Sequence, residues 1–144
     1  MRRPPDEHAL ARLLAHPYGD AVEALAREES FLTRSMFGCL ACYAHGRLML
    51  ALAAGRPPWD GLLVATAREH HEALQALVPA LRVHPVLGKW LYLPAADGDF
   101  ERAARLLAEL ARADDPRIGV EPSARPRRAR RAGARRAAAR PSKI

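Results

Sequence analysis

The stretch that decides the fold is residues 36–53, which read MFGCLACYAHGRLMLALA. Two apolar runs, Met36 to Ala44 and Arg47 to Ala53, flank the pair His45-Gly46. Gly adopts positive φ at little cost, and His is one of the few other residues enriched there. The pair therefore predicts a two-residue hairpin loop between two antiparallel strands.

The loop also predicts the strand register, because each residue before it pairs with one after it. The predicted cross-strand pairs are Tyr43–Leu48, Ala41–Leu50, Cys39–Leu52 and Cys42–Met49. The first three pairs, together with Phe37, are expected to form the core face of the sheet. The fourth pair is expected on the other face.

Outward from the hairpin, two more apolar runs of strand length are Gly61–Ala65 and Lys89–Leu93. Helical spacing of apolar residues predicts four helices, over residues 6–15, 20–26, 66–81 and 99–110. Polar residues that predict N-caps are Asp20, Thr66 and Asp99, the first two in capping boxes with Glu23 and Glu69. Apolar residues expected to face inward include Leu10, Leu13, Leu14, Leu74, Leu77, Val78 and Leu81. The order is α-α-β-β-β-α-β-α, which favours an antiparallel four-stranded sheet packed against helices, an α+β domain.

Charge divides the chain of 144 residues into two parts. Residues 1–120 carry 14 Lys+Arg and 15 Asp+Glu, whereas residues 121–144 carry nine Lys+Arg and one acid. The second part is rich in Arg, Ala and Pro and has no aromatic residue, so it has too little apolar surface to offset the entropy of ordering. We therefore expect one α+β domain over residues 1–120 and a disordered basic tail over residues 121–144.

Composition argues against several classes of protein. No apolar run approaches the roughly 20 residues of a membrane-spanning helix, so no membrane partner is expected. Residues 1–7 lack the apolar core of a secretory signal, which favours the cytoplasm. The chain contains no Gly-rich nucleotide-binding fingerprint and no nucleophile-elbow motif. The sequence therefore leans against an enzyme while leaving one open, and it predicts no cofactor.

One part of the chain resembles a known family. The run Arg34-Ser-Met-Phe-Gly-Cys39, with Tyr43 and Gly46-Arg47 after it, resembles the Met-Phe-Gly entry of the TfoX N-terminal domain family. These are small bacterial α+β domains related in fold to YjbR-like proteins. Residues 69–71, 84–90 and 115–119 are similar to an uncharacterised branch of that superfamily. The resemblance covers roughly residues 30–120 and implies a regulatory domain, since TfoX proteins are associated with natural competence, and it implies no catalytic residues.

Cys39 and Cys42 form a Cys-x-x-Cys motif, which is half of a zinc site or a redox motif. On an extended strand, residues three apart lie roughly 10 Å apart and point to opposite faces. Packing in the core is therefore the expected role, with metal binding and redox chemistry as alternatives. No metal ligand is assigned.

The second candidate site is a pocket for a small ligand or a protein partner. Its expected residues are Trp59, His70, His71 and His84. Adjacent His residues on a helix lie about 100° apart and do not chelate zinc as His-Glu-x-x-His does. The alternative is a purely structural role, in which His70 and His71 lie half-buried at the edge of the helix over residues 66–81. Trp59 lies between Pro58 and Asp60 and is expected to be exposed.

The tail predicts contact with nucleic acid. Its basic residues are Arg125, Arg127, Arg128, Arg130, Arg131, Arg135, Arg136, Arg140 and Lys143. Arg binds phosphate bidentately, and without aromatic residues the tail itself offers only sequence-independent contacts to the backbone of DNA or RNA. The leading hypothesis is a non-enzymatic domain with a nucleic-acid-binding tail. The alternatives are that the tail only improves solvation, that it binds an anionic protein, or that its Ala, Arg and Pro content reflects a compositional bias of the source without a function.

Overall fold

The apolar middle of the chain forms a sheet of six strands. The structure is a computed structural model that describes residues 8–122. Its strands are β1 Leu32–Met36, β2 Cys39–Ala44, β3 Arg47–Ala54, β4 Asp60–Val64, β5 Arg82–Val83 and β6 Leu91–Pro94. All neighbouring strands are antiparallel, in the order β1-β2-β3-β4-β6-β5. The helices are α1 Ala9–Ala15, a 3₁₀ helix Gly19–Arg27, α2 His71–Leu77 and α3 Phe100–Arg112, with a short 3₁₀ turn Arg68–His70 before α2.

The α+β class and the antiparallel sheet are confirmed, but the expected four strands and the expected element order are wrong. The predicted strand 36–44 is broken by a turn at Phe37-Gly38, where φ is 55° and 76°. Met36 therefore pairs with Cys39, and residues before the turn form the additional strand β1. The other missed strand, β5, has only two residues, which is too short for an alternation of apolar and polar residues to be recognised in the sequence.

The predicted His45-Gly46 loop is confirmed. Both residues have positive φ, 57° and 76°, and the flanking pair is Ala44 with Arg47. The predicted pair Tyr43–Leu48 is also confirmed.

Beyond that pair the predicted register is wrong, because the register shifts between Cys42 and Tyr43. The observed pairs are Cys42–Leu50, Ala41–Ala51 and Leu40–Leu52 instead of Ala41–Leu50, Cys39–Leu52 and Cys42–Met49. Met49 is the extra residue of a β-bulge. A shift of one residue moves every side chain beyond it to the opposite face of the sheet.

The helices cover one face of the sheet, which we call the helix face. Its buried strand residues are Cys42, Ala44, Met49, Leu50, Leu52, Leu62, Val64, Leu91 and Leu93, packed on Leu13, Leu25, Leu74, Phe100 and Leu107 from the helical segments. The predicted core face is therefore confirmed for Leu50 and Leu52 and wrong for Cys39, Ala41, Tyr43 and Leu48, which lie on the other face. Phe37, expected in the core, is 67% exposed.

The opposite side of the sheet, which we call the outer face, is covered by loops. Its buried residues are mostly small: Cys39, Ala41, Leu48, Ala51, Ala53, Leu63, Ala65 and Tyr92. The side chains that pack over them are Met36, Tyr43, Trp59, Leu87, Trp90 and Val120. Large side chains on loops and near strand ends therefore take the place of a helix layer on this face.

Several details of the helices differ from expectation. No side-chain hydrogen bond caps any of the predicted starts. Thr66 instead donates to the carbonyl oxygen of Arg117, 2.6 Å away. Three residues expected to face inward are substantially exposed: Leu10, Leu14 and Leu77. Helix α2 ends at Leu77, two residues before Pro79, because the residue before a proline disfavours helical geometry.

The last described segment closes the sheet. Val120 pairs with Leu48 on β3 through reciprocal backbone hydrogen bonds of 3.0 Å. The N–H of Gly119 donates to the carbonyl oxygen of Ala65, just beyond β4, and Ile118 is fully buried. Residues 118–120 therefore continue the pairing along the edge of β3 beyond the point where β4 ends. Within residues 8–122, no helix is both long and apolar enough to cross a membrane.

Candidate functional site

His84 is fully buried on the outer side of the sheet and all its polar atoms are used. Its Nδ1 accepts from the backbone N–H groups of Val86 and Leu87, at 3.1 and 2.9 Å, and its Nε2 lies 3.0 Å from the carbonyl oxygen of Pro58. This pattern requires a neutral ring with the proton on Nε2. Burial also lowers the pKa of His84. The residue holds the 84–90 loop against the Pro57-Pro58 segment, whose peptide bond is cis.

The rings of Trp59 and Tyr92 both pack against His84. The ring centroids of Trp59 and Tyr92 are 4.5 and 5.6 Å from that of His84. The Tyr92 hydroxyl donates to Asp60 Oδ1. Burial, and then this hydrogen bond, raise the pKa of Tyr92. The cluster therefore packs the loops onto the sheet, and of its rings Trp59 is the one that is only half-buried.

The other two His residues have separate partners. His71 Nε2 lies 2.8 Å from the carbonyl oxygen of Lys89, and His70 Nε2 lies 3.5 Å from Glu69 Oε2. Both side chains are partly exposed at the start of α2. The structure thus brings Trp59 and His84 together but gives the three His residues no shared partner within residues 8–122.

The two Cys residues lie on opposite faces of the sheet. Cys42 packs in the helix-face core, and burial raises the pKa of its thiol to about 12. Cys39 packs on the outer face, and burial raises its pKa too. Each thiol lies within hydrogen-bond reach of a carbonyl oxygen two residues earlier. Both are therefore packed, protonated thiols, and the described part of the chain holds no group of three or more His, Cys, Asp or Glu that suits a metal ion.

A pocket of about 410 Å³ opens at the end of the sheet that carries the Phe37-Gly38 turn. Its walls come from this turn, the end of β3, the 55–59 loop and the segment after α1. The residues that decide its character are His16, Pro17, Phe37, Cys39, Ala53 and Trp59. Sequence reasoning singled out Trp59 as an exposed site but missed this pocket. A local signal of the turn at its edge was Gly38 within an apolar run.

A second surface lies where the described chain ends. Met36, Tyr43, Trp90 and Val120 all pack partly buried against the same outer-face cluster. The guanidinium of Arg34 lies 5.8 Å from the centroid of the Tyr43 ring, in cation–π geometry.

The acidic residues that precede this chain end have basic partners. Asp114 pairs with Arg47 at 2.5 Å, and Asp115 pairs with Arg117 at 2.7 Å. The hydrogen bonds from Arg117 are the main cause that lowers the pKa of Asp115. The last described residues therefore leave the body next to one exposed cation, Arg34, and two half-buried aromatic rings.

The nine basic residues expected to contact nucleic acid, from Arg125 to Lys143, lie outside the described residues. The same holds for the expected disorder of the tail beyond Pro122. Comparisons with protein-family models, with curated proteins and with solved structures found no match to this chain.

Proposed function

We propose that this chain is a non-enzymatic, regulatory α+β domain of the TfoX N-terminal type, whose C-terminal tail contacts the backbone of DNA or RNA without sequence preference. The observation that carries this proposal is the division of charge. Residues 8–122 contain 12 Lys+Arg and 14 Asp+Glu, whereas residues 123–144 contain nine Lys+Arg and no acid. Attraction to phosphate is therefore a property of the tail, while the body is close to neutral.

The surface at the end of the body supports this proposal. The tail follows Val120, which packs in the same cluster as Tyr43 and Trp90. Single-stranded nucleic acids are bound by basic segments together with aromatic side chains on which bases stack. Arg34 and these two rings are side chains of those types, and the rings share the cluster of Val120, after which the described chain ends at residue 122.

The chemistry of the buried groups supports the non-enzymatic part of the proposal. A nucleophilic thiol needs a lowered pKa, and burial raises the pKa of both Cys39 and Cys42. A His that acts as a general base needs a free nitrogen, and both nitrogens of His84 are occupied by backbone groups. These residues are suited to packing.

The test compares the full chain with a truncation after Glu121 and with a full-length variant in which six tail Arg residues are changed to Gln. The changed positions are 127, 128, 130, 131, 135 and 136. Affinity for labelled single-stranded DNA, duplex DNA and RNA is measured by fluorescence anisotropy between 50 and 200 mM salt. Neutralising six phosphates predicts that the affinity of the full chain falls by about 10³ over this range.

A matched variant with Lys at the same six positions keeps the charge and is expected to keep most of the affinity. The truncation is expected to lose the salt-dependent binding, and the Gln variant, which keeps three basic tail residues, is expected to lose most of it. If the full chain shows no salt-dependent binding that the truncation lacks, the proposal is wrong.

A second candidate function is the binding of a small molecule or a protein partner by the body. The sequence favours Trp59, His70, His71 and His84 for such a site. Of these four, only Trp59 lines the 410 Å³ pocket. His84 is fully buried and packs against the Trp59 ring. The pocket at Trp59 is therefore the proposed place for this second function, rather than a site formed by His70, His71 and His84.

A further inference from the structure

The stability of the fold alone does not explain why Phe stands at position 37. Its φ of 55° is left-handed, a conformation that bulky residues strongly disfavour. Its ring is 67% exposed, so burial offsets little of that cost. Asn-Gly is the pair that this type of hairpin turn prefers, and the structurally equivalent turn of β2 and β3 has His45-Gly46. Unfavourable backbone geometry of this kind is concentrated at functional sites.

The walls of the pocket beside Phe37 restrict the charge of any ligand. Two aromatic residues, Phe37 and Trp59, border it together with Pro17 and Ala53. No Asp, Glu, Lys or Arg is among the described residues that line it. Burying a charge without a partner is costly, so phosphates, carboxylates and amines are poor occupants. The volume is within the range of small-molecule sites.

His16 supplies a polar group at the same pocket. Its Nδ1 accepts from the backbone N–H of Tyr18 at 3.1 Å, so the neutral ring carries its proton on Nε2. Burial lowers the pKa of His16, which keeps the ring neutral at pH 7. No group within residues 8–122 accepts a hydrogen bond from Nε2. This nitrogen is therefore a donor available to a ligand.

We propose that the pocket binds an uncharged, planar aromatic molecule of one or two rings, stacked against Phe37 or Trp59 and accepting a hydrogen bond from His16 Nε2. This inference rests on the second candidate function and is independent of the nucleic-acid proposal. It deepens that candidate by naming the class of ligand. Cys39 contributes apolar surface to the wall and no covalent chemistry.

The experiment uses three probes of the same two-ring shape at pH 7.5. Quinoline has one acceptor nitrogen, naphthalene has none, and quinoline-2-carboxylate adds a negative charge. In the full chain with Trp90→Phe, Trp59 is the remaining Trp, and its fluorescence reports binding. A net hydrogen bond predicts that quinoline binds about 2- to 10-fold more tightly than naphthalene. The carboxylate is expected to bind most weakly.

Two variants separate the wall from the donor. Phe37→Asn suits the turn and removes the aromatic wall, so it is expected to weaken quinoline and naphthalene alike, by about 5-fold or more. His16→Phe is expected to abolish only the preference for quinoline over naphthalene. The matched control is His45→Asn, which makes the same change at the equivalent position of the other turn and is expected to leave both affinities unchanged.

The outcomes distinguish the inference from the function on which it rests. Equal affinities for quinoline and naphthalene, unaltered by His16→Phe, would show that the acceptor requirement is wrong while the pocket still binds ligands. The absence of saturable quenching by quinoline up to about 1 mM would remove both the inference and the small-molecule form of the second candidate function. The salt-dependent binding of nucleic acid is unaffected by either result.

Discussion

The two faces of this sheet exclude water in different ways. On the helix face, Leu residues of the strands pack against Leu and Phe residues of the helices. On the outer face, the strands present mainly Ala, and half-buried aromatic side chains from loops and strand ends cover them. Both candidate functional surfaces, the pocket and the surface at Val120, lie where loops do the covering. The difference teaches that the large buried side chains are concentrated on the helix face, while the two surfaces proposed to bind lie where loops cover the sheet.

The largest expected effect tests whether the packing of the helix face adjusts less to a cavity than the packing of the outer face does. Leu62 and Leu63 are adjacent on β4, both are fully buried, and they point to opposite faces. Replacement by Ala costs about 2–5 kcal/mol, depending on how far the surroundings collapse into the cavity. We expect Leu62→Ala to fall near the upper end and Leu63→Ala near the lower end, because loops adjust more easily than packed helices.

Urea denaturation of both variants, with equal m-values as the condition for comparison, measures this difference. An equal loss at the two positions would break the comparison between the faces.

A smaller effect concerns the dependence of outer-face stability on pH. The folded-state pKa of His84 is lowered from 6.5 by burial, so the unfolded chain binds its proton first. Stability is therefore complete above about pH 6.5 and falls as the pH drops below it, by at most about 1.4 kcal/mol per pH unit for this group. His16 acts in the same direction. Urea denaturation at pH 7.5, 6.5 and 5.5 measures the slope.

The control for this prediction is His84→Leu, which removes the titrating ring. It is expected to be less stable at pH 7.5, because two N–H groups lose their acceptor, and to show a shallower slope. An unchanged slope would mean that the buried ring does not cause the pH dependence. Asp115 contributes only at lower pH, because its pKa is lowered from 3.8.

The smallest effect has the opposite sign. Phe37→Asn places a residue that tolerates left-handed geometry in the turn before Gly38, and we expect a gain of about 0.5–1 kcal/mol in the free energy of unfolding. The measurement is again urea denaturation. A loss of stability would show that the exposed ring contributes to the fold, and Phe37 would then need no functional explanation.

Sequence reasoning succeeded where local signals act alone. Gly46 and its neighbour predicted the hairpin loop, and the helical spacing over residues 99–110 predicted α3, whose buried side includes Phe100, Ala103 and Leu107. Glu101 and Arg105, four residues apart on α3, form an ion pair at 3.1 Å.

The failures have two physical causes. The β-bulge at Met49 depends on how two strands twist against each other, and nothing in an apolar run marks it. The Phe37-Gly38 turn was hidden because Phe normally favours strands. The pocket was missed for a related reason, since its walls come from separate segments that only the folded sheet brings together.

The pairing of Val120 with Leu48 has a consequence for the order in which the protein is made. These partners are separated by 72 positions, so β3 leaves the ribosome long before its last neighbour exists. At a synthesis rate of 5–20 residues per second, the interval is about 4–14 s. During this time the backbone of Leu48 has no strand at that place, and the apolar residues around it are open to other chains. The edge of β3 at Leu48 therefore remains open to other chains until residues 118–120 are synthesised.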